Sequence, residues 1–397
     1  MSTAEPTAAV VQTRWGIIAI AILAGIVGAM QVGKVPPAIP VISTDLNIER
    51  VTAGWVISIF LAASAVLGPL CGVVGDRIGH RRFLLCGLAC MAGGSLLGGW
   101  APDTTTLLLA RLFEGFGFLA TVIAAPSIIV SITAKRDLRM ALGAWGTYMP
   151  AGIALMMLLA PALLASLGWR GLWFANAALL AVFLLLFATL TRGIGGASAG
   201  GTSLGDVSLA LSRLGPWLLA GCFAAFACQF IGVISWLPTF FMEDMGYGGA
   251  AAAVIVAFIV ALNALGNIIG GWLLRSVRRS TLIAVTSGCL GVIAVIMFWR
   301  DMPEGIVIVL AAIYSLIGGF IPAAALTGVP LYAPSPAQIG ATNGIVVQGA
   351  NFGSLIGPPA FAAAVTLLGG WSLSAWFLLA MGIIGIVLAL MLRPTES

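Results

Sequence analysis

Polar residues along this chain are gathered into short gaps between long apolar runs. The runs lie near 15–42, 52–74, 83–101, 105–132, 139–166, 170–191, 215–242, 249–274, 280–299, 304–332, 338–367 and 371–392. Each is close to or above the ~20 residues with which an α-helix crosses a ~30 Å hydrocarbon layer. Inside lipid the backbone has no water to bond, so runs of this length must be helices that satisfy their own N–H and C=O groups. The pattern predicts an all-α membrane protein with twelve transmembrane helices. The longest polar gap, 192–214, holds Gly195, Gly196, Gly200 and Gly201 among several Ser and Thr residues. It splits the chain into an N-terminal six-helix bundle over 1–191 and a C-terminal six-helix bundle over 215–397, joined by a linker.

Composition agrees with that reading. Hydrophobic residues make up 61% of the 397, charged residues 8%, and the mean hydropathy is +1.13. A water-soluble domain is about 45–50% apolar. The net charge of +5 is spread over many loops, which gives no basic face for a nucleic acid. If the N-terminus is cytoplasmic, the segments on that side hold Arg14, Arg77, Arg81, Arg82, Lys135, Arg136, Arg139, Arg192, Arg213, Arg275, Arg278, Arg279 and Arg393, which is 13 of the 18 basic residues. The opposite loops hold Arg50, Arg170 and Arg300 with the acids Asp45, Glu49, Asp103, Glu243, Asp244, Asp301 and Glu304. This asymmetry predicts both termini in the cytoplasm. Arg14 and the run after it loosely mimic a signal peptide. Eleven more runs follow, so that run reads as the first span.

Several chemistries are not expected. The six cysteines, Cys71, Cys86, Cys90, Cys222, Cys228 and Cys289, sit in or beside apolar runs without a CxxC pair, and His80 is the only histidine. That pattern predicts core packing and no metal site. No GxxxxGK[ST] loop occurs, which tells against an ATP-driven pump. His80 has no nucleophile pattern near it, and no cofactor site is legible; the chain does not read as an enzyme.

The two halves repeat. A shift of 198 places Gln31 on Gln229, Gly72 on Gly270, Arg77 on Arg275 and Arg81 on Arg279. A shift of 197 places Gly143-Ala144 on Gly340-Ala341, Gly152 on Gly349 and Pro161 on Pro358. Parallel six-span repeats imply a pseudo-two-fold axis along the membrane normal, with a substrate site between the halves at mid-membrane.

Three charges fall inside the runs. Arg111 and Glu114 in the fourth are three residues apart, so they share a helix face and can pair. Charge in a span is costly unless it meets a partner or a cavity. Glu114 is the candidate for proton coupling, and a structural pair with Arg111 is the alternative. Lys34 lies past the middle of the first run, just before Pro36-Pro37. It reads either as a contact for an anionic substrate or as a side chain that snorkels to the interface. Lys34 and Arg111 against Glu114 leave one net positive charge, which favours an anion. Further polar residues expected toward the cavity are Gln31, Tyr148, Gln229, Trp236, Asn263, Asn267, Tyr314, Gln348 and Asn351. The candidate substrate contacts are Gln31, Lys34, Arg111, Tyr148, Gln229, Trp236, Gln348 and Asn351. Gly349, Gly353 and Gly357 form a small-residue stripe suited to close helix packing.

The loop after the second run reads Gly72-Val-Val-Gly-Asp76-Arg77-Ile-Gly79-His80-Arg81-Arg82. It resembles the signature loop G-x-x-x-D-R-x-G-R-R of the major facilitator superfamily, with His80 in place of one basic residue. The resemblance implies that Gly72, Asp76, Arg77, Gly79, Arg81 and Arg82 form a cytoplasmic gate that breaks as the halves rock. A degenerate second copy runs from Gly270 to Arg279, with Leu274 where Asp76 stands. Arg111-Leu-Phe-Glu114-Gly115-Phe-Gly117 resembles the fourth-helix motif R-x-x-x-G-x-G of the same superfamily. The family implies a secondary transporter with alternating access, acting on a small molecule in the lipid bilayer with protons as the coupling ion. It also implies a bacterial inner-membrane location, and nothing in the chain demands more than a monomer. Span 5 reads Gly143-Ala-Trp145-Gly146-Thr-Tyr148-Met-Pro150-Ala-Gly152. It lacks the G-x-x-x-G-P-x-x-G-G motif of drug/proton antiporters and is loosely similar to the cyanate/nitroimidazole permease group. The expectation is therefore a permease for a small organic or inorganic anion, with proton-coupled export of hydrophobic drugs as the alternative. A non-transporting sensor on the same fold would bind ligand without flux.

Overall fold

Proline and glycine, more than polarity, decide where the helices of this chain stop. The computed structural model describes residues 13–193, 209, 211–335 and 338–393, apart from the side chains of Pro69, Leu70, Gly72, Val73, Asp76 and Arg139. Helix α1 (Trp15–Gly33) and helix α2 (Val35–Asp45) form the first span, with the break at Lys34. The cause is local: Pro36 and Pro37 have no N–H to give the carbonyls of Val32 and Gly33. The second span also changes step, from α3 (Arg50–Ser58) through a 3-10 turn (Ile59–Leu61) into α4 (Ala62–Ile78). Gly79, at φ 87°, ends α4 and lets α5 (His80–Gly99) turn back.

Helix α6 (Thr104–Ser131) opens at an N-cap, Asp103, whose Oδ1 accepts the Thr106 N–H at 2.8 Å. That bond holds the Asp103 carboxyl below the usual carboxylate range. Helix α7 (Leu138–Trp145) leads into α8 (Tyr148–Leu190), which has 43 residues. A straight helix of that length would run ~65 Å, about twice the hydrocarbon thickness. Gly168 solves this with φ 67° and ψ −179°, which bends the chain back on itself. The runs expected near 139–166 and 170–191 are thus one helical stretch hinged at a glycine.

The second half contains α9 (Leu214–Glu243), α10 (Gly249–Leu273), α11 (Arg279–Met297), α12 (Glu304–Gly318), α13 (Phe320–Tyr332), α14 (Ile339–Leu367) and α15 (Trp371–Leu392). Eleven stretches of the described residues are long and apolar enough to cross a membrane. The fifth, Met140–Leu190, holds two crossings because of Gly168, so twelve passes are accounted for. The expected linker lies mostly outside the described residues.

The repeat is physical as well as textual. A Cβ on Gly152 would meet the Ile26 carbonyl of α1, and a Cβ on Gly349 would meet the Ala220 carbonyl of α9. These glycines stand at matched positions and seat corresponding helices on the first helix of each half. Gly353 and Gly357 continue the stripe onto the Ala224 and Cys228 carbonyls of α9. The stripe is packing within one half and does not lie between halves. The fourth spans also bury matched positions, counted from their first residues: 107, 111, 114, 118 and 121 in α6, and 307, 311, 314, 318 and 321 in α12 and α13.

The halves meet through α8 and α10, α2 and α9, and α3 and α4 with α14. Gly54 is a point of closest approach, since a Cβ there would lie 2.6 Å from Pro359 Cα.

Candidate functional site

Four predicted residues, Gln31, Lys34, Arg111 and Glu114, come together in one enclosed cluster inside the first half. Its position follows from helix ends. The break after α1 puts Lys34 where the helix gives way, and the last turns of α1 and α3 leave carbonyls short of intrahelical donors. The Lys34 ammonium donates to Glu114 Oε1 at 2.5 Å, Ser95 Oγ at 2.8 Å and Gln31 Oε1 at 2.9 Å. Its three N–H donors therefore have three acceptors. It also lies 4.5 Å from the centre of the Trp173 ring. Arg111 donates through Nη1 to Glu114 Oε2 at 2.5 Å and to the Gln31 carbonyl at 3.0 Å. Its Nε donates to the Val56 carbonyl at 3.1 Å, its Nη2 to the Ile57 carbonyl at 3.4 Å, and its plane covers the Phe60 ring at 4.6 Å.

Each carboxylate oxygen of Glu114 is held by a different cation, and all three charged side chains are 0% exposed. Burying charge is tolerable only when every polar atom finds a partner, and here nearly all do. Gln31 Nε2 donates to Asn176 Oδ1 at 3.0 Å, and Asn176 Nδ2 to the Leu172 carbonyl at 2.9 Å. Ser95 Oγ donates to the Trp173 carbonyl at 3.1 Å. The charges sum to one net positive, as the sequence indicates, but that charge is sealed among α1, α5, α6 and α8. The glycines of the fourth-helix motif make the space: a Cβ on Gly115 would meet the Phe60 carbonyl, and one on Gly117 the Gly87 carbonyl.

Sequence reasoning missed Ser95, Trp173 and Asn176. Asn176 had a signal, an amide within an apolar run. Trp173 had another, since it stands 198 residues before Trp371. Ser95 had none, because a serine satisfies itself easily in a helix.

The remaining candidates lie elsewhere. Tyr148 is half-buried, stacks on Trp145 at 4.3 Å and lies 6.5 Å from Phe118, which in turn packs 4.9 Å from Phe60. A line of rings thus joins Tyr148 to Arg111. Gln229 donates to the Leu378 carbonyl at 2.9 Å and Trp236 to the Pro358 carbonyl at 2.9 Å, both buried within the second half. Gln348 crosses between halves to the Ala65 carbonyl of α4. Asn351 is half-buried on α14. Asn267 bonds Asn263, and Asn263 bonds the Ser315 carbonyl at 3.0 Å. Tyr314 is buried against Phe230, with rings 6.1 Å apart, and its hydroxyl has no partner among the described residues.

Of the expected gate, the side chains of Gly72 and Asp76 lie outside the described residues. Arg77 and Arg82 are exposed. Arg81 donates to the Ala188 carbonyl at 2.7 Å and to Thr191 Oγ1 at 3.0 Å, so it caps the end of α8 in its own half. Its repeat partner Arg279 likewise bonds the Ala324 carbonyl and Thr327 Oγ1 of α13. The plainest charged contact between halves is at the other end. Arg50 Nη2 donates to Glu243 at 2.9 and 3.1 Å, and its guanidinium lies 4.9 Å from the Trp371 ring. Trp371 Nε1 donates to Glu243 at 3.2 Å.

Known proteins resemble this chain in sequence and in fold. The puromycin resistance protein pur8 of Streptomyces alboniger is 32% identical over 41% of this chain and 32% of its own length. The multidrug efflux pump LfrA of Mycolicibacterium smegmatis is 29% identical over 47% of this chain and 36% of its own. The chain thus spans about a third of the length of these two relatives. The gallate transporter of Pseudomonas putida is 23% identical over 89% of this chain and 91% of its own length. Among solved structures, a bacterial homolog of the human lysosomal transporter Spinster, in an inward-facing and occupied conformation, superposes with a TM-score of 0.80. It shares 16% identity and covers 96% of this chain and 97% of its own, a likeness of fold. The Major Facilitator Superfamily profile matches residues 20–338, and with most of the chain so covered the protein belongs to the Major Facilitator Superfamily of membrane transporters.

Proposed function

We propose that this transporter is a proton-coupled exporter of lipophilic compounds, working by alternating access between two six-helix halves, 1–191 and 215–397. The observation that carries this reading is the enclosure of the charge cluster. An anion carrier needs a cation turned toward its substrate, whereas Lys34 and Arg111 are buried and bonded to Glu114, side-chain oxygens and backbone carbonyls. Relatives named for puromycin resistance and multidrug efflux support the same reading. The missing span-5 motif told against drug export in the sequence; the relatives outweigh it. None of the three relatives named above is a cyanate or nitroimidazole permease.

In this reading the cluster is the coupling centre, with Glu114 at its heart. The half-buried rings of Tyr148 and Phe223 offer flat apolar surface of the kind that lipophilic ligands bind. Both termini face the cytoplasm of a bacterial inner membrane, which puts Arg50, Glu243 and Trp371 at the outer gate. The chain acts as a monomer.

A second reading, uptake of a small aromatic anion, is favoured by one observation: the gallate transporter matches nearly end to end. A thermal-shift experiment on the purified protein separates the two. Stabilisation by ethidium and puromycin, kept in Lys34→Ala, is the expected result. Stabilisation by gallate alone, lost in Lys34→Ala, overturns export and establishes the anion permease.

A further inference from the structure

We propose that the coupling proton is carried by Lys34 and that Glu114 stays ionised through the cycle. This deepens the export reading and rests on it for its role in transport. The argument is one of charge and position. Protonating Glu114 would neutralise the only anion in the cluster and leave two buried cations facing each other without a counter-ion. That is the arrangement a low-dielectric site tolerates least. Releasing a proton from Lys34 does the opposite. The –NH3+ group becomes –NH2, one H+ passes to water when the site opens, and the Arg111–Glu114 pair remains intact. The cluster goes from one net positive charge to none.

Arg111 is the fixed member. It is tied to three backbone carbonyls, those of Gln31, Val56 and Ile57, and a guanidinium does not deprotonate in proteins. Lys34 bonds no backbone carbonyl through its side chain. It sits where α1 breaks into α2, and Pro36 and Pro37 leave the carbonyls of Val32 and Gly33 without their usual donors. A side chain on such a break can swing with the motion of α2, while Arg111 and Glu114 lie mid-helix on α6. Helix α6 presents Glu114 and Arg111; α1 presents Gln31, α5 Ser95 and α8 Trp173, none of which titrates in this range.

Coupling follows from mutual exclusion. With Lys34 charged, the cluster repels a cationic substrate; with Lys34 neutral, it does not. Proton binding and cation binding are then alternatives, which is what exchange of one for the other requires.

The chain has two lysines, Lys34 and Lys135, and Lys135 is exposed. Lys135→Arg therefore leaves Lys34 as the only source of signal in protein labelled with 13Cε,15Nζ-lysine. The NMR signal of the purified, detergent-solubilised protein would be followed from about pH 5 to about pH 10, below the ordinary lysine value. The proposal predicts that the signal moves from the ammonium to the amine position within this range. It also predicts that no protonated-carboxyl infrared band disappears in Glu114→Gln. A signal fixed at the ammonium position over the whole range overturns the proposal, and a carboxyl band lost in Glu114→Gln would then place the proton on Glu114. The readout is independent of any substrate. A failure of the protein to move ethidium would sink the export reading and leave the Lys34 signal to decide the proton's place on its own.

Discussion

The same place in the two halves holds opposite chemistry. Gln31 and Gln229 match in the repeat and both are buried, yet what surrounds them differs. Three residues on, Lys34 corresponds to Gly232. On the fourth span, Arg111 and Glu114 take the buried places that Ala311 and Tyr314 take in α12. The packing is inverted too. In the first half Phe118 of α6 fills the space over Gly28 of α1, where a Cβ would lie 3.2 Å from the ring. In the second half the rings are on the first helix and the gap is Gly318, where a Cβ would lie 3.2 Å from Phe230 and 3.3 Å from Phe226. Gly28 and Phe226 are 198 residues apart, and so are Gln31 and Gln229. Duplication kept the backbone frame. Divergence put ionisable groups in one half and a stack of rings, Phe223, Phe226, Phe230 and Tyr314, in the other. A transporter whose chemistry is this one-sided should respond to mutation in the same one-sided way.

The largest effect should come from breaking the charged side. Glu114→Leu leaves Lys34 and Arg111 buried without a counter-ion, a change that costs about 3–5 kcal/mol in buried pairs. The expected result is a large drop in stability to denaturation and loss of transport. Stability equal to the parent would mean that the cluster is wet or already discharged.

Next comes the inverted packing. Phe118→Ala should cost about 3–5 kcal/mol, as deletions of buried rings do. The pair Phe118→Gly with Gly28→Phe rebuilds the second half's arrangement in the first and should recover at least half of that loss. If the double variant is no more stable than Phe118→Gly alone, the two interfaces are not interchangeable and the comparison is weaker than drawn.

A smaller effect on stability is expected at the Arg50 contact, because exposed ion pairs contribute about 0–1 kcal/mol. Arg50→Gln should instead alter access. A cysteine placed beside Gly54 should react faster with a membrane-impermeant thiol reagent when Arg50 is removed, and an unchanged rate would mean that the contact does not hold the gate.

The smallest effect belongs to the uncharged side. The Tyr314 hydroxyl is buried without a partner among the described residues. Tyr314→Phe removes a polar atom that gains nothing there, so stability should hold or rise slightly. A marked loss, read in the same denaturation assay, would reveal a hydrogen bond formed in another conformation of the cycle.

The helices were legible in the sequence because lipid leaves the backbone no alternative. The helix breaks at Lys34, Gly79 and Gly168 have a local cause in proline and glycine. The pairing of Arg111 with Glu114 was legible for a similar reason, since three residues on a helix fix a face. Lys34 was found, but its neighbours were not. A sequence shows that a cation lies inside a span, not that the carboxylate on α6 and the hydroxyl of Ser95 on α5 will enclose it. Tertiary packing decides that, and here it gives the Lys34 ammonium three acceptors in its own half. Arg81 gives the same lesson: its motif points to a gate, and nothing in the sequence says that it bonds the Ala188 carbonyl at the end of α8.

The central claim is that the enclosed Lys34–Glu114–Arg111 cluster drives export of lipophilic compounds with protons. It is tested most directly in proteoliposomes under an imposed pH gradient, by following ethidium movement in the parent and in Glu114→Gln. The account predicts gradient-driven ethidium transport in the parent that is lost in the variant. Transport by the variant at the parent's rate, under the same gradient, would contradict it.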